Sequence, residues 1–453
     1  MKKSLLLLLV LLALSCKKEE KKKEHRYYLK SNKKEVQALF NGQLFPFTIV
    51  NDNLAFPYTG KTNKVGFVSK IDSVKFDLEP KDSIPLTFII NEKDSISVLV
   101  IGKTKRVDFT ENYIKEHKGK YKVLSPKALE LVNVGIALTN VGREDVNLIF
   151  KYSDYYKDVL KYFDAYKNHP LIDSLNVNLE KNKNDYYYNI IMNANMYSFE
   201  GDKIVNKTTF NRMGFGEDNY LKKLLPLFED FSKKSNFQEF YGNNEKYYQS
   251  LIAEYHRLVP VEKMWKWLEE KFPVKHDSYK IYFSPLVNGY HSTQKYEDNG
   301  FKETAMHINA PILDDMYSDK EKEAILSRVV FTEIDHNYVD PTTDKFNEIS
   351  TLLTPLSCWN SKRDWYNSSY RTFSEYMTWG VFTLYLYDNF DKEVFEKRNE
   401  AMVNFMISEN RGFIKFKEFD SFILNWYKNN PNASLEKLYP AVIDWVKKQN
   451  CKS

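Results

Sequence analysis

The stretch FTEIDHNYVDP, residues 331–341, sets Thr332, Glu333 and His336 in a T-E-x-x-H pattern. In the related pattern H-E-x-x-H, two imidazoles one helical turn apart hold a zinc ion, and the glutamate between them deprotonates a metal-bound water. Four residues of helix turn through about 400°, so Thr332 and His336 are expected one above the other on one face. Glu333 stands one step round, where a general base belongs. The first ligand position, however, holds a hydroxyl. Catalytic zinc takes three protein ligands and a water, and a neutral threonine is a poor substitute for imidazole on a borderline-soft cation. Glu375, 39 residues beyond His336 in RTFSEYMTWGVFTLYL, is the best third ligand. With His336 and Glu375 alone, zinc is expected to bind weakly or not at all.

Each residue also has a plainer reading. T-E-x-x-H arises by chance in many helices, where its histidine is simply satisfied by neighbours. Thr372-x-x-Glu375 is a capping-box spacing that would start a helix without any metal. His307 could complete a site from a preceding strand, but it and His169, beside Pro170, fit packing or turn positions better. The tyrosine runs DYYYN and EKYYQ read as half-buried helix faces rather than carbohydrate platforms.

The elements that would position the motif are well marked. Ser318 with Glu321 forms a capping box. Ile325, Leu326, Val329, Val330 and Ile334 give an apolar face, and Pro341 is expected to end the helix. YKIYFSPLV and ETAMHINAP read as two strands just before it, and SEYMTWGVFTLYL as a second helix after it. The order is strand, strand, motif helix, glutamate helix.

That order is the one found in gluzincin-type metallopeptidases. Together with YKVLSPKALELVNVGIALTNVG, YFDAYKNHPLID, KIYFSPLVNGY, the NYVDP tail and SEYMTWGVFTLYL, it resembles a zincin-like family of secreted bacterial proteins, the domain-of-unknown-function 4932 family, over about residues 120–448. The resemblance implies His336 as second ligand, Glu333 as base and Glu375 as third ligand. It also implies an intact first histidine, where this chain has Thr332, and an arginine soon after the glutamate, near Trp379.

Outside this region, MKKSLLLLLVLLALSC has two lysines and a short apolar run ending at Cys16, the pattern of a secretory signal. LALSC resembles a lipoprotein lipobox, and the CKKEE that follows resembles a tag for surface-exposed outer-membrane lipoproteins. The expectation is a signal peptide over 1–15, lipidation of Cys16 and a disordered tether over 16–34. Without residues 1–15 the formal charge of +5 becomes +3, nearly neutral for so long a chain, which argues against a nucleic-acid binder. Cys358 and Cys451 then remain, enough for one disulfide at most. From Val36 the apolar period is that of strands, and VQALF-NG-QLFPFTIV and IPLTFII-NEKD-SISVLVI read as hairpins. The fold expected is α+β: a β-rich domain over 35–115, then a mostly helical zincin-like domain with a short sheet over 120–450.

The function expected is that of a surface-anchored lipoprotein whose peptidase-derived domain is a pseudopeptidase, or a weak-metal variant, binding peptide or protein. The alternatives are an active zinc peptidase with Glu333 as base and a substrate strand along AMHINA, or a structural or glycan-binding envelope lipoprotein.

Overall fold

The computed structural model describes residues 26–49, 53–362, 366–449 and 451. Cys16 and the signal segment lie outside them. The chain has an α+β fold and divides into two compact units, up to Lys105 and from Arg106 onward.

The first unit is built from β1 (Tyr27–Lys30), β2 (Glu35–Phe40), β3 (Gln43–Thr48), β4 (Leu54–Phe56), β5 (Asn63–Val68), β6 (Ser73–Leu78), β7 (Ser83–Ile89) and β8 (Ser95–Gly102). They form two four-stranded sheets, β1-β7-β8-β4 and β3-β2-β5-β6. The β2–β3 turn uses Asn41 and Gly42 at φ 48° and 91°, the left-handed pair a two-residue hairpin needs. Leu29, Val65, Phe67, Leu86, Phe88 and Val100 are buried between the strands. The tether expected over 16–34 is therefore too long: β1 lies within it and pairs in parallel with β7, because Leu29 supplies a fully buried side chain.

The second unit is organised by a sheet of β9 (Lys120–Leu124), β12 (Ser278–Ser284), β13 (Ser292–Asp298) and β14 (Phe301–Asn309), with β10 (Tyr197–Glu200) and β11 (Lys203–Asn206) forming a separate hairpin. Strand order is β13-β14-β12-β9, parallel except for β13 against β14. Every residue of β12 is buried, as a central strand covered on both faces requires. Side chains alternate between faces. Ile281, Phe283, Met306 and Ile308 join a core with Phe331, Met377 and Tyr385, while Tyr282 and Ala305 join another with Leu129, Val132 and Phe163. Helices thus cover both faces. Cys358 and Cys451 form a disulfide, their Cα atoms 5.9 Å apart.

Three details of the site elements differ from expectation. The motif helix, Asp319–Ile334, gives way at Asp335 to a second helix, His336–Thr343, which contains Pro341 instead of ending there. Asp335 keeps right-handed helical backbone angles, so the chain continues in the same sense. The glutamate helix, Ser369–Asn389, is capped by Ser368, whose hydroxyl accepts from the Arg371 N–H; Glu375 sits in its second turn and is no capping residue. Lastly, AMHINA is no edge. Its strand, β14, lies between β12 and β13, and the edge beside the motif is β13.

Candidate functional site

Thr332, Glu333, His336 and Glu375 all face one open cleft of about 920 Å³ in the second unit. The capping box that starts the motif helix is present: the Ser318 hydroxyl accepts from the Glu321 N–H, and the Glu321 carboxylate accepts from the Ser318 N–H. The helix it starts brings Arg328, Thr332 and Glu333 to the cleft wall.

Each would-be metal ligand has its own engagement. The Thr332 hydroxyl donates back to the carbonyl of Arg328 at 2.9 Å, the usual resting place of a helical threonine. His336 Nδ1 lies 3.3 Å from Asp340 Oδ1. Asp340 also accepts from Ser374 Oγ at 2.6 Å and Lys295 Nζ at 2.9 Å. Glu375 is buried, and its Oε1 accepts from the Tyr366 hydroxyl at 2.8 Å, the Trp379 indole N–H at 2.9 Å and the Arg411 guanidinium.

These contacts set the charges. Burial opposes protonation of His336, but the bond to Asp340 and the nearby carboxylates Asp335 and Glu375 outweigh it and hold its pKa up, at about 10. Burial likewise works against ionised Asp340, yet His336 and Lys295 hold it well below the ordinary carboxylate range. Burial pushes Glu333 up to about 7, with Glu375 adding repulsion against the attraction of His336 and Arg328. Asp335 is wholly buried, neither oxygen has a hydrogen-bond partner, and burial drives its pKa well above normal.

This donor set does not fit a catalytic zinc. The hydroxyl is committed to the main chain and the carboxylate to a guanidinium and two further donors, which leaves the His336 imidazole without the fellow ligands such a site needs. Among the described residues no group of three His, Cys, Asp or Glu side chains could hold a metal ion. His307 does not complete one: it is fully buried on β14 with Nδ1 unpartnered, away from the cleft lining, and burial lowers its pKa to about 3. His169 is a turn residue, its Nδ1 capping Leu171 N–H and its Nε2 meeting Asp230.

Several cleft residues escaped the sequence reading. Asp340 stands four after His336 and Arg328 four before Thr332, so helical spacing alone could have found both. Strand β13 carried a signal too, the Asn299-Gly300 turn at φ 50° and 70° joining it to β14. Arg411 had none; it arrives from beyond the next helix and pairs with Glu375. Of the tyrosine runs, Tyr188 reaches the cleft wall beside Tyr290. In comparisons with known proteins the chain matches no family model, no curated protein and no solved structure.

Proposed function

We propose that this protein is a surface-anchored lipoprotein, attached through Cys16, whose second unit derives from a metallopeptidase and binds peptide or flexible protein segments without cleaving them. The observation that carries the reading is the coexistence of an open cleft with ligand positions already spent on protein contacts: Thr332 on a carbonyl, Glu375 on Arg411. An extended chain fits along β13, whose outer side is the free edge of the sheet and whose Ser292 and Thr293 line the cleft.

The test uses residues 26–453 purified without chelator, beside Thr332→His. The reading expects no stoichiometric zinc in the wild type by elemental analysis, no chelator-sensitive hydrolysis of a quenched-fluorescence peptide library, and slowed amide exchange along β13 when peptides from that library bind. One zinc per chain together with chelator-sensitive cleavage would overturn it in favour of an active peptidase with Glu333 as base.

A further inference from the structure

Two arginines meet the same indole in the cleft. The guanidinium carbon of Arg411 lies 5.2 Å from the centre of the Trp379 ring and that of Arg328 lies 4.9 Å from it. Arg411 has an anion, Glu375. Arg328 has none: its guanidinium makes no hydrogen bond or ion pair with any described residue, although the side chain is mostly withdrawn from water. A guanidinium carries five N–H donors in a planar fork, and removing it from water without a counter-charge is costly. Burial and the neighbouring Arg411 both act against its charge, lowering its pKa to about 10, which still leaves it cationic at neutral pH.

Two other carboxylates of the cleft are already engaged. Asp340 serves His336 and Lys295, and Glu375 serves Arg411. Among the described residues Glu333 is the remaining carboxyl on the cleft lining, and it makes no hydrogen bond or ion pair with Arg328. Phe405 packs on the same Trp379 ring at 5.6 Å, and Phe405 and Phe215 lie on the cleft lining at 46% and 41% exposure, too open for core residues. A stacked, unpaired guanidinium among exposed rings matches a flat, delocalised oxyanion joined to an apolar body.

Taking the cleft to be a peptide groove, we propose that Arg328, laid over Trp379, is the subsite for a carboxylate of the bound peptide, either its free C-terminus or an acidic side chain. The two sources share one chemistry and differ in how the ligand runs. A carboxylate there replaces the water that Arg328 has lost and accepts two parallel N–H bonds.

The experiment has two arms on the full protein, on Arg328→Met and on Arg328→Lys, each checked for an unchanged thermal midpoint. In the first, saturation-transfer NMR compares N-benzoylglycine with its amide. The wild type is expected to bind the acid and to prefer it over the amide by roughly 10- to 100-fold, the worth of a charged hydrogen-bond pair. Arg328→Met loses that preference, and Arg328→Lys, which keeps charge without the fork, retains part of it. Equal binding of acid and amide, no binding of either, or an undiminished preference in Arg328→Met overturns the subsite. In the second arm a random peptide pool is offered with free or amidated C-termini, and with Glu or Gln inside. Loss of binding on amidation assigns the site to the C-terminus, and loss on Glu-to-Gln exchange assigns it to a side chain. Failure of every pool beside a selective response to N-benzoylglycine would overturn the peptide-groove reading and leave the carboxylate subsite standing. A uronate-bearing oligosaccharide would then be the next ligand class.

Discussion

At the residue scale, Glu375 shows how a carboxylate on an open cleft can already be engaged by the protein through one oxygen. One oxygen holds three donors at once, and one of those donors, Arg411, is itself ringed by Tyr366, Trp379, Phe405 and Phe413. Arg411→Met would leave Glu375 buried without its counter-charge. Breaking such a pair from one side typically costs about 3–5 kcal/mol; because Arg411 keeps roughly a quarter of its side chain in water, the lower end, about 3 kcal/mol, is expected. Chemical denaturation should show that loss, and Glu375→Gln in the same background should restore part of it. Full additivity of the two substitutions would mean the carboxylate and the guanidinium are not coupled. The sequence carried Glu375 in plain view, whereas its partner stood 36 residues on with no spacing to link them.

At the element scale, legibility followed local signals. The capping box at Ser318 and the Asn41-Gly42 hairpin are realised because each depends on a handful of neighbouring residues. β13 went unread because it buries Ser292, Gln294 and Tyr296, giving no apolar alternation, while its edge position leaves the intervening residues half-wet. The glutamate helix was found but started too late, since Thr372 spends its hydroxyl on the Tyr366 carbonyl and Ser368 does the capping. That helix owes its fit to Gly380. A Cβ there would lie 2.4 Å from Ile423 Cδ1 and 2.8 Å from Phe419 Cε1, both on the helix Phe416–Asn429. In an open helix Gly→Ala gains about 1 kcal/mol. Here overpacking of about 1–3 kcal/mol opposes that gain, and since a packed ring as well as a methyl must give way, Gly380→Ala is expected to lower stability by about 1 kcal/mol. A stabilised variant would show that the two helices are free to part.

At the scale of the whole molecule, buried titratable groups on both faces of the sheet set how stability varies with pH. Glu130 is fully buried, accepts from the Tyr155 hydroxyl at 2.7 Å and leaves Oε2 unpartnered. Burial raises its pKa from 4.5 to about 7. Between those values the folded protein holds a proton that the unfolded chain has released, so stability falls as pH rises through the window, and the full penalty stands above 7. At about 1.4 kcal/mol for each unit, Glu130 costs up to about 3 kcal/mol at pH 8. Buried histidines act the other way: His276 and His291 are lowered to about 4 and His307 to about 3, so stability is lost as pH drops below 6.5, where the unfolded chain takes up their protons. Between 4.5 and 6.5 the histidines and Glu130 act on stability in opposite senses, so the wild-type profile does not separate them. Glu130→Gln isolates one side of that balance. All 7 tryptophans lie beyond Arg106, so their fluorescence in urea reports on the second unit alone. From pH 5 to pH 8 the difference in unfolding free energy should move in favour of the variant by up to about 3 kcal/mol. A difference that stays constant across that range would mean that Glu130 is ionised in the fold and has found a counter-charge or water inside the core.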